Sequence, residues 1–133
     1  MSVFNPPVHP VRTEETLLPL LRGEYPDVSF GSVRNSDDPP RECVLVGDPQ
    51  GLATPVTQWV RVRLTVIVRR DDGSGDFAAE QHLAADIIRT ITMQGCRPPI
   101  VSAKLDAGPM RLADGDASPI YCYAVLLMQA AVS

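Results

Sequence analysis

Between Gln58 and Arg70 the chain alternates. Val60, Val62, Leu64, Val66 and Val68 fall on one parity; Trp59, Arg61, Arg63, Thr65, Ile67 and Arg69 fall on the other. A period of two, with β-branched residues and neither Gly nor Pro, predicts a long, half-buried strand. Wound as a helix, the same residues would scatter arginines round the cylinder and leave no apolar stripe. Each aliphatic side chain leaving water contributes about 1.5–3 kcal/mol, before chain entropy is set against it. An uncompensated buried charge costs about 3–5 kcal/mol. The aliphatic face is therefore expected against the core, and the arginine face against water or carboxylates of another surface.

The flanking segments follow from the same kind of reading. Residues 1–10 hold Asn5-Pro6-Pro7 and His9-Pro10, which disfavour helix before each proline and predict an extended arm. A helix is expected from Pro10 or Thr13 to Arg22, with Val11, Leu17, Leu18, Leu20 and Leu21 apolar, Glu14 and Glu15 in its first turn and Gly23 as its stop. Pro19 should kink or shorten it. Val28 to Val33 and Arg41 to Val46 read as two short strands of a hairpin, turning through Asn35 to Pro40. Gly47 to Pro55 reads as a loop.

A second helix is predicted from Asp76, its cap, to Met93. Phe77, Leu83, Ala84, Ile87, Ile88 and Ile91 supply its apolar stripe, Glu80, Gln81, Asp86 and Arg89 the remainder, and Gly95 its end. Ile100 to Leu105 and Pro109 to Leu112 predict a strand broken at Gly108, with a turn at Asp114-Gly115-Asp116. Ile120 to Val132 is apolar on both parities, so this last strand should be interior to the sheet or covered by another subunit. Together these elements predict one α+β domain over 1–133. Its mostly antiparallel mixed sheet would have about four or five strands, two helices on one face and the other face open.

Composition narrows the function classes. A length of 133 residues suits one core, and aromatics at 5% mean that aliphatic packing must hold it. A net charge of −4 argues against bulk nucleic-acid binding, which calls for a basic footprint. Cys43, Cys96 and Cys122 are odd in number and form no C-x-x-C, so reduced thiols in an intracellular protein are expected. The longest apolar run, Ala124 to Met128, is far too short for a membrane span.

Candidate chemistry is thin. Asp71, Asp72 and Asp76 with Gly73 and Gly75 lack the ligand spacing of a calcium loop and fit turn and cap roles better. His9 and His82 have no matched metal partner, and no serine lies in a G-x-S-x-G context. No catalytic residue, cofactor site or metal site is expected. Trp59, Arg61, Arg63 and Arg69, with Tyr121 and Tyr123 of the last strand, are the candidate interface with other subunits or partners.

Several segments carry a resemblance to a known family. They are Leu17-Leu18-Pro19-Leu20-Leu21 running to Gly23-Glu24-Tyr25-Pro26, the strand Trp59 to Val66, the alanine-containing helix Phe77 to Ile91, and the strand Tyr121 to Met128. In order, size and character they resemble the tail terminator (tail completion, or head-tail joining) proteins of long-tailed bacteriophages. The resemblance implies a structural, non-enzymatic virion protein assembled in the host cytoplasm. It implies a homo-oligomeric, hexameric ring that caps the tail tube protein and meets the head-tail connector protein, with DNA passing through unbound. The alternatives are another neck or connector protein of the same virion, or a small-ligand-binding α+β domain.

Overall fold

A computed structural model describes residues 12–94, 96–112 and 121–131. The arm, Gly95, the turn at Asp114 to Asp116, and the outermost residues of the last strand lie outside the described residues. The elements run α1 (Glu14–Glu24), β1 (Ser29–Gly31), β2 (Arg41–Thr54), β3 (Thr57–Val68), α2 (Phe77–Gln94), β4 (Ile100–Leu112) and β5 (Tyr121–Ala131). The five strands form one mixed sheet in the order β1-β2-β3-β5-β4, antiparallel except for β1 against β2. This is the α+β architecture that the alternation and the two apolar stripes predict.

The core lies between the sheet and the two helices. Val60, Val62, Leu64 and Val66 of β3 and Cys122, Ala124, Leu126, Met128 and Ala130 of β5 are buried on one face. Against them pack Leu17 and Leu21 of α1 and Leu83, Ala84, Ile87 and Ile91 of α2. β5 is flanked on both sides, by β3 and β4, the interior position expected of it, and its second parity, Tyr123, Val125 and Leu127, faces away from the helices. Asp76 caps α2 by accepting from the Ala79 amide at 3.3 Å.

Four expectations are corrected. β1 pairs with β2 in parallel, Phe30 beside Cys43, so Val28 to Val46 is no hairpin. Turn-forming residues show that a chain bends, but not how far it travels before it pairs again. Here residues 32–40 cross the open face and return beside Arg69. Second, Gly47 to Thr54 of the expected Gly47–Pro55 loop is strand: β2 stays paired to β3 as far as Thr54 opposite Thr57, with register shifts after Pro49 and Leu52 absorbing its irregular pattern. Pro55 and Val56 then make a tight turn, in which Thr54 Oγ1 accepts from the Val56 amide at 3.3 Å. Third, α1 passes through Gly23 and ends at Glu24, where the Tyr25 amide still donates to the Leu21 carbonyl. Pro19 sits inside it. Fourth, Glu80 belongs to the buried stripe of α2, not to its polar remainder.

Candidate interaction surface

The open face of the sheet follows from register. Residues paired directly across antiparallel strands share a face. Arg61 lies between Asp48 and Leu127, Arg63 between Val46 and Val125, and Thr65 between Val44 and Tyr123. Trp59 is opposite Gly51 and Gln129 and keeps 36% of its surface exposed. Trp59, Arg61, Arg63 and Tyr123 therefore stand together on one face, away from both helices.

The arginines already have partners within the chain. Arg63 Nε lies 2.9 Å from Asp48 Oδ2, and Arg61 Nη2 lies 3.7 Å from Asp106 Oδ2. All four side chains are about a third to a half exposed, so each pair is screened by water and orients its partner more than it stabilises the fold. What remains of the face between these pairs is aliphatic and aromatic: Val44, Val46, Val125, Leu127 and Tyr123 are half-buried.

Arg69 and Tyr121 occupy a different environment. The 32–40 connection closes over this end of the face, and the Arg69 side chain is 7% exposed. Its Nη2 contacts Glu42 Oε1 at 3.1 Å and Asp38 Oδ1 at 3.3 Å, and its Nη1 donates to the Pro39 carbonyl at 2.6 Å. The other Glu42 oxygen accepts from the Asn35 amide at 2.5 Å. Ile67 is fully buried beside this cluster, and Tyr121 is 9% exposed. Arg69 thus holds the fold together from inside, and the expectation of an outward guanidinium at that position is corrected. The reason is local: Glu42 lies opposite Ile67 on the same face, so a carboxylate is already waiting two residues from Arg69.

Titratable groups inside the core point to structure. Glu80 is fully buried; Oε2 accepts from the Val68 amide at 3.0 Å and Oε1 has no hydrogen-bond partner. Burial pushes its carboxyl up to about 7; the Asp76 carboxylate adds to this, while the Val68 hydrogen bond, Arg69 and Arg70 oppose it. Burial also pushes the Cys122 thiol up to about 11, with the Glu80 carboxylate adding to it, and raises Cys43. Thiols shifted this way hold little thiolate and are poor nucleophiles at neutral pH. The signal for Glu80 was present in the sequence, because position 80 stands three residues after Phe77 and four before Ala84.

In the acidic loop, Asp72 Oδ1 accepts from the Ser74 hydroxyl at 2.6 Å and the Ser74 amide at 2.9 Å, bonds that hold its carboxyl below the ordinary value. The described residues contain no group of three or more potential metal ligands. Among them, no helix is long and apolar enough to cross a membrane. Compared with known protein families and with curated proteins, the sequence matches no family model and no individual protein.

Proposed function

We propose that the protein is a structural subunit of a phage virion, a tail terminator that assembles as a ring, caps the tail tube and joins it to the head connector. The observation that carries this reading is the division of the sheet. Both helices cover one face, and the other presents Trp59, Tyr123, Val125 and Leu127 between intrachain ion pairs. Exposed apolar surface between oriented charges is the ordinary make-up of a protein–protein contact. The element order to which the resemblance attaches, a helix, two strands, a long strand, a helix and two strands, supports the reading. In a ring, two different patches of the subunit meet and close by rotation. A net charge of −4 per subunit suits a passage that DNA crosses without sticking.

The test is assembly. Mixed with tail tubes, the chain is expected to form rings at tube ends in negative-stain images. A strict monomer in light scattering at every concentration, with bare tube ends, overturns the reading.

A second reading has one observation in its favour. Arg34, Val44, Thr65 and Tyr121 line a hollow of about 210 Å³ on the same face, where a small ligand would sit. It is smaller than the roughly 300–1,000 Å³ of most ligand sites, so this reading ranks second.

A further inference from the structure

The charged residues are distributed unevenly along the sheet. No Asp, Glu, Lys or Arg occurs in residues 49–60, 98–103 or 121–131. Register brings the first two segments and the Gln129–Ala131 end of the third to one end of the sheet. Thr54 pairs with Thr57, Thr57 with Ala131 and Gln58 with Ala130, while Ile100 pairs with Ala130 and the Ala131 amide donates to the Pro99 carbonyl at 2.8 Å. Among the described residues, Asp48, Arg61, Arg97 and Lys104 are the charged side chains that border these segments. Here Leu52 is 62% exposed, Val56 66%, Val101 56% and Trp59 36%. The opposite end carries Arg34, Asp37, Asp38, Arg41 and Glu42 in one segment and Arg69, Arg70, Asp71, Asp72 and Asp76 in another.

From this the geometry points to the uncharged end, the β2–β3 turn with Trp59 and the start of β4, as the surface by which one copy of the chain binds a second copy. The occupant follows from charge. Each copy carries −4, and among the described residues no charged side chain falls within residues 49–60, the β2–β3 turn and its flanks. Copies that meet through this end bring no like charges together, whereas most other approaches do. The surface offers only hydroxyl and amide groups, such as those of Thr54, Thr57 and Gln50, so it has nothing with which to select a charged partner.

Extension of the sheet by edge pairing is the competing route, and both edges are blunted. β2 is an open edge beyond Val44 but contains Pro49, which has no N–H to offer. β4 carries three register shifts and Pro109. Side chains at the uncharged end, not free backbone groups, are left to make the contact.

The inference rests on reading the chain as a self-associating subunit, and its test separates the two. Sedimentation velocity over a wide concentration range compares the native chain with Leu52→Asp, Val56→Asp and, as control, Val33→Asp. Val33 is 78% exposed but sits in the 32–40 connection at the charged end. Native chain and V33D are expected to associate alike; L52D and V56D should weaken association by about tenfold or more with thermal unfolding unchanged. Raising salt from 0.1 to 1 M, which shortens the screening length from about 10 to about 3 Å, should leave the contact intact or strengthen it. Association of L52D and V56D equal to the native chain overturns the inference and leaves the ring reading standing if rings still form on tubes. Loss of association in L52D and V56D, with no native rings on tubes, supports the inference and removes the ring reading. A native chain that stays monomeric throughout overturns both.

Discussion

At one end of the sheet Arg69 and Glu42 are buried beneath the 32–40 connection, whose Asp38 pairs with Arg69 from the surface, and Glu80 of α2 is buried on the sheet's other face. At the other end Leu52, Val56 and Trp59 face solvent, and among the described residues no charged side chain occurs between Asp48 and Arg61. The two ends invert the usual arrangement, in which charge is outside and hydrocarbon inside. Where charge is buried, the chain supplies its own partners and the region is finished within the monomer. Where hydrocarbon is exposed, no described residue of the monomer covers it. Internal completion marks the end that stabilises the fold; an uncovered apolar surface marks the end available for contact.

The sharpest way to break that contrast is to unpair the buried cluster. Arg69→Met leaves the Glu42 carboxylate, 2% exposed, without its cation. Loss of one partner of a buried pair costs about 3–5 kcal/mol, and denaturant unfolding should show a destabilisation of that size. Replacing both, as Arg69→Met with Glu42→Leu, should recover most of it, because no charge is then stranded. If R69M unfolds at the native midpoint, the pair is not what fastens the connection to the sheet.

Glu80 gives the next largest effect and carries a pH signature. Its carboxyl titrates near 7 in the fold, chiefly through burial, against an ordinary value of 4.5. The neutral acid is therefore the form the fold prefers. The stability this contributes is fully present below about pH 4.5 and is lost as pH rises through 7, an effect on the order of 3 kcal/mol. Glu80→Gln keeps an acceptor for the Val68 amide and removes the titration. Its stability should match the native chain near pH 5, exceed it at pH 8, and vary less between. A native chain whose unfolding midpoint does not fall over that window contradicts the assignment.

How far the sequence reaches into this picture depends on which residues are asked. Alternation over 58–70 and the stripe from Phe77 to Ile91 predict β3, α2 and the faces they bury, because each is a periodic response to a single apolar surface. The path of 32–40 was not legible. Its anchors, Glu42 and Arg69, are distant in sequence, and nothing local says that they meet. The strand over 47–54 was hidden for a related reason: its pairing is imposed by β3, while its own residues include Pro49 and Gly51. Trp59, Arg61 and Arg63 lie on the open face as the alternation of β3 predicts, while Tyr123 joins them only through its register opposite Thr65. Arg69 obeys the same parity, yet it is buried by a segment that parity cannot see.

The smallest effect tests where one region gives way to the other. Arg63 and Asp48 pair at 2.9 Å between the two ends, each side chain close to half exposed. Such pairs contribute about 0–1 kcal/mol and fade as salt rises. Arg63→Ala should therefore shift the denaturant midpoint by a small amount at low salt and by almost nothing at high salt. Because Arg63 lies outside the uncharged end, its loss should also leave self-association close to native, in contrast to V56D. A weakening of association by Arg63→Ala as large as that of V56D would mean that copies meet across the whole open face. The boundary drawn at Trp59 would then have to move inward along β3.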